Sequence, residues 1–273
     1  MKNYLKLVNF EISRFFKLYL ILIGLTIVCQ LIGVIRVSKG YMDLAEKVMD
    51  KNQLSVSQFI EQYGAFSFQR FVYSEWFLLS IYIGIAMLMI YVFIIWYRDW
   101  LGKNSFIYRL LMLPTERITI YFAKLTAIML LLLGLITLQL LLVRIEIQIV
   151  NSIVPADFRT YSYGISNIDI FVLLYPDTFT EFLLIYGIGL IFVAVLFTAI
   201  LFERSYRLRG IFFAIVYGVL SLGVFFAPLL LNGFYPRYFY PLEIILMGMV
   251  TSFIVLGSTI GIANHLLKHK IMV

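Results

Sequence analysis

Charged residues are scarce in this chain of 273 residues, of which only 14% are Asp, Glu, Lys or Arg. A soluble domain carries about 25% charged residues. Because 62% of the residues are hydrophobic, there is too little polar surface to cover a globule in water. The mean hydropathy of +0.96 also indicates a chain that is too apolar for a water-solvated surface. Lipid must therefore solvate most of the surface, which excludes an ordinary soluble domain.

Motifs for catalysis are lacking as well. The chain has no G-x-x-x-x-G-K-[ST] phosphate loop and no G-x-S-x-G nucleophile elbow. Its one cysteine, Cys29, cannot form an intrachain disulfide. Its two histidines, His265 and His269, lie in the C-terminal tail and have no third metal ligand beside them in the sequence. We therefore predict no catalytic residue, bound metal or cofactor in this chain, which is not itself an enzyme.

Long hydrophobic stretches take the place of these motifs. Six continuous apolar runs have roughly the 20-residue length of a membrane-spanning helix. A β-barrel would alternate over roughly 10-residue segments instead. We predict an all-α polytopic membrane protein that forms one domain over residues 1–273. The predicted spans are at about 18–35, 76–96, 120–143, 179–202, 210–231 and 242–263.

The distribution of basic residues predicts the orientation of these spans. Fourteen of the 22 Lys and Arg residues lie in residues 1–17, 97–124, 203–209 and 264–273. Basic residues accumulate on cytoplasmic segments, so we expect both termini in the cytoplasm and a multi-pass protein of the cell membrane. The same rule accounts for the net charge of +7 without a nucleic-acid partner.

The segments outside the spans carry further predictions. Residues 1–17 interleave basic and large apolar side chains, which is typical of an amphipathic helix lying in the membrane interface. The alternative is a charged flank that only sets orientation. Residues 36–75 have helical spacing and predict a small folded outer loop. Glu146 and Glu203 fall at predicted span ends, which indicates boundary residues.

The segment between the second and third spans has the most distinctive pattern. Residues 109–131 read RLLMLPTERITIYFAKLTAIMLL. A leucine-rich turn is followed by the Leu113-Pro114 step and a short polar stretch, and then by Tyr121 and Lys124 before the next span. This order resembles the corresponding loop of the ABC-2-type permeases of bacterial ATP-driven exporters. The six spans, the cytoplasmic ends and the aromatic turn at 232–241 are also similar to that family.

The resemblance implies a permease subunit with the type V exporter fold. Such a subunit would pair in the lipid bilayer with a second, identical or homologous permease subunit. Two separate ABC ATP-binding subunits would hold ATP and Mg. Residues 102–112 would form the coupling helix, with basic side chains for acidic groups on the ATPase, an apolar face for its groove and a proline that ends the helix. The implied partner-binding residues are Lys103, Phe106, Ile107, Arg109, Leu110, Leu111 and Pro114.

Other functions stay open on the sequence alone. The basic loop between the second and third spans would also suit a topology signal, or a scaffold or sensor that binds a cytoplasmic partner without transport. A membrane-embedded lipid enzyme needs polar residues clustered at one interface, and the sequence shows no convincing set. For an exporter, spans without charges along their length favour an amphipathic or antimicrobial peptide or a lipid-like substrate.

Overall fold

The computed structural model describes residues 2–101, 107, 110, 112, 116–160, 171, 174–176, 178–235 and 238–271. Over these residues the chain is helical and has no β-strand beyond a single bridge between Phe66 and Arg159. The helices are α1 (Lys2–Asn52), α2 (Val56–Tyr63), α3 (Phe68–Val72), α4 (Glu75–Trp100), α5 (Ile118–Ile153), α6 (Phe179–Tyr206), α7 (Leu208–Phe234) and α8 (Pro241–His269).

Six of these helices, α1 and α4 to α8, are long and apolar enough to cross a membrane. Each of the six predicted spans falls inside one of them. This confirms the prediction of an all-α protein with six membrane-span helices. The match follows from the sequence. A continuous apolar run of about 20 residues can satisfy its backbone hydrogen bonds within the lipid by forming a helix.

The N-terminal segment is helical, as predicted, and is continuous with the first span. Residues 2–17 are helical, but no break separates them from the first span, because α1 runs without interruption from Lys2 to Asn52. No proline occurs in this stretch, so nothing in the backbone chemistry ends the helix. Val8 and Glu11 are 5% and 2% exposed. One face of this segment is therefore packed against protein, while Leu5, Phe10 and Phe16 on its other side are exposed, as expected of an amphipathic helix.

One compact unit contains residues 1–13, 89–129 and 179–273. In it α6, α7 and α8 pack against one another. Trp96, Tyr121 and Phe197 are each 0% exposed and form an aromatic cluster. The Phe197 ring meets the Trp96 and Tyr121 rings edge-on at centroid distances of 5.5 and 5.7 Å. This geometry holds the end of α4 and the start of α5 against α6.

The other compact unit contains residues 14–88 and 130–178. Its core is aromatic, since Phe59, Phe71 and Phe77 are each 0% exposed. Helix α2 begins with a capping box, in which Ser55 and Gln58 satisfy each other's backbone N–H groups. The backbone N–H of Phe66 donates to the carbonyl of Phe158 at 2.8 Å. Residues 36–75 are therefore folded, as the sequence predicted.

Gly33 gives the first testable prediction, because α1 and α4 approach closely there. A Cβ atom added at Gly33 would overlap the Cβ of Trp76, which cannot swing away, whereas a Cβ at Gly40 would meet nothing within 4 Å. We expect Gly33→Ala to destabilise the protein by about 1–3 kcal/mol through overpacking. Gly40→Ala, the matched control, should stabilise α1 by about 0.5–1 kcal/mol. Thermal unfolding in detergent checks both, and equal shifts would contradict the close approach.

A candidate coupling site and its buried ion-pair cluster

The predicted coupling segment lies only partly within the described residues. Lys103, Phe106, Arg109, Leu111 and Pro114 lie outside them. Ile107 and Leu110 are described and helical, with 1% and 3% exposure.

This burial changes the roles of those two residues. Their side chains fill the interior of the chain and are not available to a partner in this structure. Among the described residues of the segment and its edges, Leu101 and Met112 are exposed apolar side chains, at 71% and 72%. An apolar residue on an amphipathic turn is equally suited to a partner's groove or to its own core, and here the core takes Ile107 and Leu110.

A cluster of charged side chains lies where the segment leaves α4 and rejoins α5. The Lys124 ammonium group is 2.7 Å from the Glu11 carboxylate and 2.5 Å from the Asp99 carboxylate. It also donates to the carbonyl oxygen of Ile95 at 2.8 Å. A lysine has three N–H donors, and all three are used. The Trp96 ring centroid, 5.2 Å away, adds a cation–π contact.

The ion-pair cluster is largely closed to solvent, and its formal charges balance. Lys124 and Asp99 are 0% exposed and Glu11 is 2% exposed. Arg98, which is about a quarter exposed, reaches the second oxygen of Glu11 at 3.2 Å. Two carboxylates thus face two cations. Buried charges persist only when they are paired and hydrogen-bonded, and this cluster meets both conditions.

Three helices supply the ion-pair cluster, and α4 supplies two of its four members, Arg98 and Asp99. Glu11 lies on α1, Asp99 on the last turn of α4 and Lys124 on the second turn of α5. The Tyr91 hydroxyl also donates to the backbone carbonyl of Glu11 at 3.1 Å. Asp99 comes shortly before the coupling segment and Lys124 shortly after it. The cluster therefore ties both ends of that segment to the N-terminal helix.

No protein-family model, curated protein or solved structure matches the chain. The residues themselves carry the functional argument.

A second polar chain links Tyr121 to the remaining helices of the same unit. The Tyr121 hydroxyl donates to the carbonyl of Ala194 at 2.9 Å and lies 3.4 Å from the Thr198 hydroxyl. Thr198 donates to the carbonyl of Thr259 at 3.4 Å, and the Thr259 and Tyr217 hydroxyls are 2.7 Å apart. Tyr121 and Lys124, which carried the sequence resemblance, are thus both buried anchors at the start of α5.

Sequence reasoning missed Glu11 and Asp99 as members of a site. Residues 1–17 were expected to lie in lipid headgroups, where a carboxylate needs no special partner. A signal was present, because Glu11 is the only acidic residue before Asp43 in an otherwise basic segment. Among the described residues no group of acidic, histidine or cysteine side chains could hold a metal ion. With its charges mutually satisfied, the cluster is suited to holding helices together.

Arg117 supplies the second testable prediction. Its guanidinium group donates to the carbonyl oxygens of Leu267 and Ile271 at 2.8 and 3.0 Å, at the C-terminal end of α8. A cation there satisfies carbonyls that lack helical partners. We expect Arg117→Met to loosen the last turn of α8 by about 1–2 kcal/mol.

Hydrogen–deuterium exchange in α8 measures this effect. Amides after Ala263 should exchange roughly tenfold faster for each 1.4 kcal/mol of lost local stability. The control is Arg209→Met. Arg209 is exposed, and its substitution removes the same charge from the protein. If both variants accelerate exchange equally, net charge and not the cap is responsible.

Proposed function

We propose that the chain is the membrane-spanning permease subunit of an ATP-driven ABC exporter. The observation that carries the proposal is the ion-pair cluster of Glu11, Asp99, Lys124 and Arg98. It joins α1 to the helices on both sides of the segment that resembles a coupling helix. A push on that segment would reach three helices at once, because none can move without separating buried charges.

The partners follow from the same proposal. Two cytoplasmic ATP-binding subunits would supply ATP and Mg and the hydrolysis, and a second permease subunit, identical or homologous, would complete the path through the bilayer. The basic segments at 1–17, 97–124, 203–209 and 264–273 support a cell-membrane protein with both termini in the cytoplasm. The substrate class is an amphipathic or antimicrobial peptide or a lipid-like molecule, since the spans have few charges.

Co-purification from mild detergent tests the proposal. We expect an ATP-binding subunit to copurify with the tagged chain and to hydrolyse ATP. Leu101→Asp combined with Met112→Asp should reduce that recovery at least tenfold, because these side chains are exposed and a buried aspartate at a docked surface is costly. Phe106→Asp tests the part of the segment that the sequence alone predicts.

The matched control is Leu208→Asp, which places the same charge on a side chain that is 84% exposed in the other basic turn. Its recovery should equal that of the wild type. If no ATPase copurifies, the permease proposal fails. If an ATPase copurifies but its turnover is the same with and without this chain, the scaffold or sensor function is favoured instead.

A further inference from the structure

A long apolar trough runs between α6 and α7, and it goes beyond the coupling function. One cavity of about 230 Å³ lies along these helices, and a second of about 220 Å³ continues from it. The two share Leu196, Ala199 and Ala214 in their walls. The two cavities therefore adjoin, and together they are called here the α6–α7 trough, which extends from Ile188 at one end to Glu203 at the other.

Small side chains keep the α6–α7 trough open. Ala199 on α6 faces Ala214 and Gly218 on α7 across the depression. A Cβ atom added at Gly218 would meet nothing within 4 Å, so the space beside this backbone is empty of protein. Apart from Ser221, and from Tyr97 and Glu203 at one end, the remaining wall is apolar. Such a trough has nothing to offer a polar molecule along its length, but it can hold a hydrocarbon chain.

The trough is long enough to cross the hydrocarbon of one leaflet of a bilayer. Fifteen residues separate Ile188 from Glu203, which at 1.5 Å per residue gives about 22 Å along the helix axis. Half of a bilayer's hydrocarbon core is about 15 Å thick. One acyl chain therefore fits between the ends, with its headgroup at the Glu203 end.

That end carries charged and polar groups that are not fully used. The Tyr97 hydroxyl donates to one oxygen of Glu203. The other oxygen forms a long ion pair with Arg204 at 3.7 Å, which is beyond hydrogen-bond distance. Arg204 stacks on the Tyr97 ring at 4.5 Å from its centroid, and its Nε atom has no hydrogen-bond partner. Glu203 and Arg204 are each about a quarter exposed, so a headgroup can reach them.

We propose that the α6–α7 trough binds one acyl chain of an amine-bearing zwitterionic phospholipid, with its ammonium group on Glu203 and its phosphate on Arg204. A carboxylate beside an arginine at the same end matches a headgroup that carries both charges. The phosphate of a purely anionic lipid would be repelled by the Glu203 carboxylate. A headgroup with a quaternary ammonium has no N–H group to donate to that carboxylate.

Titration of the purified chain in detergent tests the site, with native mass spectrometry to count bound lipid. The probes are a phosphatidylethanolamine and a phosphatidylcholine with identical acyl chains. We expect the ethanolamine lipid to bind at least roughly tenfold more tightly, because only its ammonium group donates a charge-assisted hydrogen bond. Glu203→Gln keeps an acceptor for Tyr97 and should remove this preference.

Variants in the trough separate a site from the ordinary lipid annulus. Ala214→Trp fills the trough and should abolish tight binding of both lipids. Val219→Trp is the control, since Val219 is 64% exposed on the same helix and outside the trough lining, and it should bind as the wild type does. Ala199→Leu repeats the blockade from α6 should Ala214→Trp fail to fold.

Two outcomes would overturn the site. Equal affinity of the wild type for the two lipids would mean that the Glu203 end does not recognise the amine. Equal binding by Ala214→Trp and Val219→Trp would mean that only annular lipid is counted. The assay uses this chain without an ATP-binding partner, so its result is independent of the permease proposal.

Discussion

Replacing Lys124 with methionine is expected to destabilise the protein by about 3–5 kcal/mol, the usual effect of removing one partner from a buried ion pair. The substitution leaves the Asp99 carboxylate at 0% exposure without the ammonium group that now pairs with it. It also removes the closest cation from Glu11, which keeps only Arg98 at 3.2 Å. Thermal or denaturant unfolding of the purified protein in detergent measures the loss.

Neutralising the carboxylates separates the charge effect from lost packing. Adding Glu11→Gln and Asp99→Asn to Lys124→Met should recover a large part of the stability, because no buried carboxylate is then left without a cation and the remaining charge, Arg98, is partly exposed. Lys47→Met is the control, since Lys47 is exposed on α1 and should change stability by less than about 0.5 kcal/mol. If Lys124→Met and Lys47→Met unfold alike, the ion-pair cluster contributes nothing to the fold.

The helices were predictable because their signal is local and strong. Each membrane-span helix follows from a continuous apolar run, and no tertiary information is needed to find one. Tyr121 and Lys124 were also found from sequence, as an aromatic residue and a lysine in a fixed order after Pro114. Their partners could not be found in this way. Glu11 lies 113 positions before Lys124, and no local pattern joins two residues at that distance.

The direction in which side chains point was the other feature that the sequence could not predict. The apolar spacing at Ile107 and Leu110 predicts a helical face but not what covers it, and the structure buries both within the chain. The same limit explains Glu146, which the sequence placed at the boundary of the third span. Helix α5 continues to Ile153, and Glu146 is 0% exposed. A carboxylate at a predicted helix end is exposed by default, so only packing could reveal its burial.

Glu146 carries the last prediction, because it is an orphaned group in the described part of the chain. Both of its carboxylate oxygens are buried and neither has a hydrogen-bond partner there. Its neighbours on the same face of α5, Val143 and Val150, belong to the aromatic core of their unit. We expect Glu146→Met to stabilise the protein by about 1–3 kcal/mol, since an apolar side chain of similar volume removes an unsatisfied polar group and leaves no cavity.

Ser38 is the polar group expected nearest to Glu146. The Gln30 side chain donates to that of Gln139 at 3.0 Å, which sets the register of α1 against α5. Two helical turns further on in each helix come Ser38 and Glu146, and the Ser38 hydroxyl is also buried without a partner. A double-mutant cycle of Ser38→Ala and Glu146→Met measures their coupling, which should exceed the roughly 0.3–0.5 kcal/mol seen for independent sites.

Unfolding in detergent shows whether Glu146→Met raises or lowers the free energy of unfolding. Arg144→Met is the control. Arg144 is exposed two positions away and should shift stability by no more than about 0.5 kcal/mol. If Glu146→Met destabilises the protein, the carboxyl group has a stabilising partner in solution that the isolated chain does not show. If the variant is more stable but any copurified ATPase turns over more slowly, the carboxyl group is kept for activity at the expense of stability, as strained functional sites are.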